Sequence, residues 1–204
     1  MRTFIAAAVV AFAMPAAAET LDVPSGTYVL DKTHASVVWK VSHLGFSTYT
    51  AMFDRAGIDA TITLDADDVA KSSLTASVDA TAVLTGHPIE ADPRGIDFDE
   101  EIASDMFLNA TAFPVVTFES TGIEVTGEKT AKITGNLTMN DQTHELVLDT
   151  TLHGAGDNPM SGTPHLGIAA TGVIDRTMYG INTLAGPVGA EVTLEIEGEF
   201  TYKQ

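Results

Sequence analysis

The sequence predicts a mainly antiparallel all-β fold of eight strands with one short helical segment around 98–109. Two observations predict it: apolar and polar residues alternate over eight stretches, and Gly residues or an Asn-Asp pair separate these stretches. Eight strands with one apolar face each must bury those faces together, either as a sandwich or as a closed barrel. Closure into a barrel is favoured because it removes exposed strand edges.

Each predicted strand has one apolar face. In chain order these faces are Val37, Trp39, Val41 and His43; Ile58, Ala60, Ile62 and Leu64; Leu74, Ala76, Val78 and Ala80; Val116 and Phe118; Ile133, Gly135, Leu137 and Met139; Leu146 and Leu148; Leu166, Ile168, Ala170, Gly172 and Ile174; and Val192, Leu194 and Ile196. The helical segment has Asp97 or Asp99 as a candidate N-terminal cap, and Phe113-Pro114 ends it.

The first 18 residues predict a secretory signal. A basic start at Arg2 precedes a short apolar run, and Ala16-Ala17-Ala18 provides a small-residue cleavage site. The run is shorter than the roughly 20 residues that span a bilayer, so we expect no stable membrane anchor. Cleavage after Ala18 would leave 19–204 as a single mature domain in the periplasm.

The charge of the chain excludes some partners. Asp and Glu number 28 against 10 Lys and Arg, which gives a formal net charge of −18. Such a field repels nucleic acid and anionic membrane surfaces. Because the chain has no Cys, its stability must come from packing and from hydrogen bonds between strands.

The sequence has no pattern typical of catalysis. The six His residues lack metal-ligand spacing, and neither a Gly-x-Ser-x-Gly elbow nor a Gly-rich phosphate loop is present. We therefore expect a protein that is not an enzyme and that holds neither a metal ion nor a cofactor.

Several residues on the predicted inward faces are small. An eight-stranded barrel is just wide enough to be filled by large side chains, or to hold a slender ligand where the side chains are small. Periodicity alone leaves open whether they line a cavity or make room for neighbouring atoms. The small residues are Ala60, Ala76, Ala80, Gly135, Ala170 and Gly172.

Four stretches in sequence resemble the YceI-like family over about 26–202. They are 28–47, with Asp31-x-x-His34 and His43-Leu44-Gly45; 104–121; 135–146; and 172–192, with Asp175-Arg176. The resemblance implies an extended, lipocalin-like barrel with an elongated apolar pocket for a polyisoprenoid or a related amphiphile, without catalysis. The chain departs from the family pattern at 98–102, which lacks the usual Arg and His, and at 85–97, a long segment that is a candidate lid.

These observations predict a protein that binds, sequesters or shuttles a long-chain isoprenoid lipid, such as a polyprenyl phosphate or a quinone-like molecule. The alternative is a stress-responsive structural or interaction module whose barrel is filled; a homodimer stays open in either case. Arg176 either pairs with Asp31 or Asp175 or contacts a lipid head group. The predicted pocket lining is Val37, Trp39, Val41, His43, Phe53, Phe107, Phe118, Leu137, Met139, Ala170, Gly172, Ile174 and Tyr179.

Overall fold

A computed structural model describes residues 20–203, so the predicted signal segment 1–18 lies outside the described residues. Within this range ten strands alternate with short turns. They are β1 Gly26–His43, β2 Ser47–Phe53, β3 Ile58–Leu64, β4 Ser73–Asp79, β5 Val83–Leu84, β6 Val115–Gly127, β7 Thr130–Met139, β8 Gln142–Asp157, β9 Pro164–Asp175 and β10 Val188–Tyr202.

The ten strands form one closed antiparallel barrel with eight positions. Their order is β10-β9-β8-β7-β6-β4-β3-β1-β2-β5, and β10 pairs with β1 to close the sheet. One edge of β1 carries both β3 and β2, with Tyr28 opposite Ile62 and Val38 opposite Met52. Strand β5 pairs with β2 in the same way that β4 pairs with β3. Strands β2 and β5 therefore share the two positions in the barrel that β3 and β4 occupy. The predicted eight-stranded barrel is confirmed.

The break between β2 and β3 was not predicted. A 3₁₀ turn at Arg55–Gly57 interrupts the strand, and the Asp54 side chain caps it by accepting a 2.8 Å hydrogen bond from the Ala56 amide. Arg55 Nε donates to the Ala35 carbonyl of β1 at 2.9 Å, which fastens the turn to the neighbouring strand. Strands β2 and β3 are therefore separate elements, although both remain paired with β1.

The helix is shorter than the sequence predicts. Helix α1 covers Phe98–Ala103, and the carboxylate of Asp97, one of the two predicted caps, accepts from the amides of Asp99 and Glu100. The expected continuation to Asn109 is wrong, because the chain turns at Ser104 and Asn109 takes a left-handed φ of 49°. Residues 104–109 instead form turns that pack Phe107 and Leu108 against the barrel core.

Buried side chains gather in three groups along the barrel. Phe118 and Leu137 belong to the first, Tyr28 and Leu166 to the second, and Phe53 to the third. Between residues 20 and 203, no helix is long and apolar enough to cross a membrane.

Candidate functional site

An apolar cavity of about 820 Å³ runs through the barrel. At one end it is bordered by His43 and Val188, where β1 ends and β10 begins, and at the other by Lys129, between β6 and β7. Its wall on β9 extends from Leu166 to Ile174, a path of roughly 26 Å at about 3.3 Å per residue. The space is therefore long and narrow, and it suits an extended chain.

Most of the predicted lining residues border this cavity. On β1, for example, they occupy every second position from Val37 to His43, so the inward face of the strand borders one space. Contact with a ligand stays a prediction for all of them. The residues placed on the wall are Val37, Trp39, Val41, His43, Phe53, Phe107, Phe118, Leu137, Met139, Ala170, Ile174 and Arg176.

Two predicted residues do not line the cavity. A Cβ atom on Gly172 would lie 2.8 Å from Leu148 Cδ2, so this glycine makes room for a side chain of the next strand. Tyr179 lies in the 3₁₀ turn Arg176–Tyr179, is buried in the core, and places its ring 5.0 Å from that of His144, edge to face. Tyr179 therefore packs behind the wall, whereas Gly172 makes room within it for Leu148.

The small inward residues serve two purposes. Ala60, Ala76 and Ala170 line the cavity and leave it open. Gly135 lies against Phe118, since a Cβ atom there would be 2.4 Å from the ring. The sequence analysis left open whether the small residues line a cavity or make room for neighbouring atoms. The first interpretation applies to the three alanines and the second to Gly135.

The end of the cavity near His43 carries polar side chains that the sequence analysis missed. Tyr49, His87 and Arg94 all line it. The Tyr49 hydroxyl is buried with no hydrogen-bond partner among the described residues, and burial raises the pKa of this phenol, so it stays protonated. The alternation of Tyr49, Ala51 and Phe53 with Thr and Met was the signal that would have identified β2 and its inward face.

The segment 85–97, the candidate lid, lies over this polar end and contributes His87, Asp92 and Arg94 to the wall. Its start is fixed to α1 because the Thr85 amide donates to the Asp99 carboxylate at 2.7 Å. Further along, Arg94 donates to Asp92 at 2.9 Å and to Glu101 of α1 at 3.0 Å. The hydrogen bonds from Arg94 lower the pKa of Asp92 to about 2.

Phe98 of α1 anchors the same cover. Its ring lies 4.8 Å from His87 and 5.8 Å from Tyr49, and all three side chains line the cavity. The cover thus consists of the segment 85–97 and α1, packed on β2 through aromatic contacts. Whether this cover moves stays a prediction.

Arg176 is buried, and its guanidinium donates to four backbone carbonyls. Nε donates to Gly189 at 2.9 Å, Nη1 to Ile181 and Thr183 at 2.8 and 2.9 Å, and Nη2 to Val188 at 3.1 Å. Four of the five N–H donors of the guanidinium are thereby used. Desolvation lowers the pKa of Arg176 from its usual value.

The predicted pairing of Arg176 with Asp31 or Asp175 is wrong. Asp31 binds Thr33 and His34, and Asp175 accepts hydrogen bonds from the amide and hydroxyl of Thr177. These carboxylates cap their own local turns, so the arginine shapes its loop through main-chain acceptors. A head-group contact stays a prediction, and one N–H of the guanidinium is left for it.

Among residues 20–203, no group of three or more His, Asp or Glu side chains is arranged to hold a metal ion.

The model of the YceI-like domain matches residues 28–200, which is nearly the whole barrel. The chain belongs to the YceI-like domain family. It is also 34% identical over 174 residues to protein YceI of Shigella flexneri, covering 84% of this chain and 85% of that protein. A UPF0312 protein of Pseudomonas savastanoi pv. phaseolicola is 32% identical over 179 residues, with 87% of each chain covered.

Solved structures share the fold. BcnA of Burkholderia cenocepacia superposes with a TM-score of 0.69 at 17% identity, covering 83% of this chain and 98% of BcnA. A polyisoprenoid binding domain from Saccharophagus degradans gives a TM-score of 0.58 at 11% identity, covering 88% of this chain and all of that domain.

Proposed function

We propose that this YceI-like protein binds and carries a long-chain isoprenoid lipid in the periplasm and performs no catalysis. The observation that carries the proposal is the apolar cavity of about 820 Å³ along the barrel. A volume in the range of about 300–1,000 Å³ is typical of ligand sites. A slender hydrocarbon chain fits its length and its apolar wall.

The covered end combines a phenol, an imidazole and a guanidinium that could receive a polar head. Tyr49, His87 and Arg94 border the cavity there, Leu166 and Ile168 line it further along, and Lys129 borders its other end. A polyprenyl phosphate or quinone-like lipid would place its polar head beneath the cover and its tail in the barrel. Each buried methylene contributes about 0.8 kcal/mol, so the tail provides most of the affinity.

The polyisoprenoid binding domain of Saccharophagus degradans supports this proposal by analogy of fold. The rival function, a structural module with a filled barrel, is disfavoured because Ala60, Ala76 and Ala170 leave the middle of the barrel open. Location in the periplasm rests on the N-terminal pattern that ends at Ala18.

The test is to extract purified protein with organic solvent and to identify the lipid by mass spectrometry. The Ala170→Phe variant places a ring in the cavity, so we expect the lipid recovered per folded molecule to fall by about tenfold. The same periplasmic preparation, sequenced from its N terminus, should begin at Glu19.

Val173→Phe is the matched control because it adds the same ring to the exposed face of the same strand. This control should retain wild-type lipid. Equal lipid in a folded Ala170→Phe variant, or no long-chain lipid in the wild type, would contradict the proposal.

A further inference from the structure

Three segments meet beside the covered end of the cavity and form one surface, here called the rim: the hairpin tip 43–47, the segment 104–109 and the loop 176–188. The Leu44 amide donates to the Pro187 carbonyl at 2.7 Å. The hydroxyl of Thr183 donates to the Met106 carbonyl, and Asn140 bridges the carbonyls of Phe107 and Tyr179. The rim is therefore a continuous part of the folded barrel.

The rim exposes large apolar side chains. Phe46 is 92% exposed, Leu184 57% and Leu44 53%, and Met106 and Met178 are also exposed. Single exposed apolar residues are ordinary, but a group of them on one surface marks an interaction site.

The same surface carries little exposed charge although the protein is strongly acidic: its three segments contain Asp105, which is exposed, and Arg176, which is buried. The stretches 41–53, 106–118 and 177–190 contain no Asp, Glu, Lys or Arg, in a chain with 28 acidic and 10 basic residues. The opposite end differs, since Asp65, Asp67 and Asp68 follow β3, and Glu128 and Lys129 join β6 to β7. Docking of the rim therefore requires that only one exposed ionised side chain of its own, Asp105, be desolvated or kept at the edge of the contact.

Two of the exposed leucines have an unfavourable backbone conformation. Among residues 20–203, five non-glycine residues have positive φ: Leu44, Asn109, Asn140, Asp141 and Leu184. Asn and Asp adopt this conformation readily and Leu does not. Stability and solubility would both favour Asn at 44 and 184, so their apolar side chains point to a function.

The rim is continuous with the cavity. Met106 and Leu184 are exposed on the rim and also line the cavity, so an apolar path leads from the surface to the interior. A lipid tail that entered by this path would stay in contact with apolar side chains.

We propose that the rim docks transiently on the surface of an uncharged or zwitterionic lipid bilayer, where the protein loads and releases its ligand. The inference rests on the proposed lipid-carrier function, because a bilayer is the apolar phase from which a long-chain lipid can pass without crossing water. Residues such as Leu44 and Phe46 enter the interface, while the acidic body keeps the protein off anionic surfaces.

The test is vesicle flotation with the full protein and phosphatidylcholine vesicles. In the variant Leu44→Asn/Phe46→Ser we expect the partition coefficient to fall by about tenfold, because binding scales with the apolar area that enters the interface. Neither residue lines the cavity, and Asn suits the positive φ at 44, so the variant should fold as the wild type does and retain its lipid. Vesicles of phosphatidylglycerol should bind the wild type less well at low salt than at high salt.

The matched control is Met160→Asn/Val147→Thr, which removes exposed apolar groups away from the rim, in the turn before β9 and on β8. It should float as the wild type does, and all variants share the same N-terminal segment, whose contribution cancels. Equal flotation of the rim variant, or no flotation of a wild type that does carry lipid, would overturn docking and leave the proposed function intact.

Light scattering tests whether the rim instead joins two copies of the protein. If the wild type is a dimer that Leu44→Asn/Phe46→Ser converts to monomers, the rim is a contact between copies, and the bilayer proposal is wrong. Flotation of a protein from which no long-chain lipid can be extracted would leave docking standing and remove the proposed function instead.

Discussion

Two loops border the same end of the cavity, and each is organised by an arginine that is held in a different way. Arg176 is 5% exposed and donates to four main-chain carbonyls of its own loop and of the start of β10. The side chain of Arg94 in the segment 85–97 is 52% exposed and pairs with the carboxylates of Asp92 and Glu101. The loop 176–188 is a fixed part of the cavity wall, here called the wall loop, and the segment 85–97 is part of the cover and is held by ionisable groups.

The comparison shows that how firmly an arginine holds its loop depends on the groups that accept its hydrogen bonds, and not on its charge alone. Carbonyl oxygens do not titrate, and those around Arg176 have few other donors once buried. The pairs of Arg94 join a half-exposed guanidinium to carboxylates that are 5% and 11% exposed, so salt screens them in part. We therefore expect the cover, and not the loop 176–188, to be the part of the site that opens without unfolding of the barrel.

Replacement of Arg176 should have the largest effect on stability. Arg176→Met leaves buried acceptors without donors, and we expect the free energy of unfolding in urea to fall by roughly 2–4 kcal/mol. Arg176→Lys keeps the charge but lacks the planar fork, so it should recover only part of this loss. A change in the Met variant within about 0.5 kcal/mol would remove the distinction between the two arginines.

Replacement of Arg94 should change stability less. Arg94→Met should lower the urea midpoint less than Arg176→Met does, because the guanidinium that it removes is half-exposed, although the largely buried carboxylates of Asp92 and Glu101 lose this partner. The amides of 85–97 should exchange with deuterium several times faster, whereas those of 176–188 should not change. Equal acceleration of exchange in both segments would show that the cover and the loop 176–188 unfold together.

Acid should weaken the cover through Asp92 and produce the smallest of the three effects. Because the folded pKa of Asp92 lies at about 2, below its ordinary value of 3.8, its stabilising contribution is complete above about pH 4 and is lost as pH falls through about 2. Trp39 is the only tryptophan of the chain and lines the cavity, so its quenching by acrylamide measures the opening.

In the wild type, quenching should rise as the pH falls from about 4 to 2, while far-UV circular dichroism stays constant. In Arg94→Met the quenching should already be higher at neutral pH and should rise less on acidification, because the ion pair that protonation of Asp92 breaks is absent. A pH profile that is the same in both proteins would show that this ion pair does not hold the cover.

The sequence predicted the barrel because its strands alternate strictly. The face Leu166, Ile168, Ala170 of β9 and the face Val192, Leu194, Ile196 of β10 both line the cavity as their spacing indicated. Strand β2 was missed although Tyr49, Ala51 and Phe53 alternate, because it shares one barrel position with β3. The position of a break between collinear strands depends on contacts such as that of Arg55 with Ala35, which local pattern does not contain.

The candidate site was predicted less completely, for a related reason. Periodicity assigned Gly172 to the inward face correctly, but whether an inward residue meets empty space or a neighbour depends on the next strand, here on Leu148. Tyr179 was assigned to the lining on its residue type alone, whereas the 3₁₀ turn places its ring against His144. His87 and Arg94 lie in a segment without periodicity, so only the folded cover brings them to the cavity.

The sequence by itself determined the strand faces, the acidic charge and the uncharged stretches, because each of these is fixed by the order of residue types. The tertiary structure decided which small residues open the cavity, where the uncharged stretches meet and which atoms Arg176 contacts. These depend on distances between strands and loops that are remote in sequence. Side-chain spacing along a strand repeats every two residues, but the space opposite each side chain is set by the strand beside it.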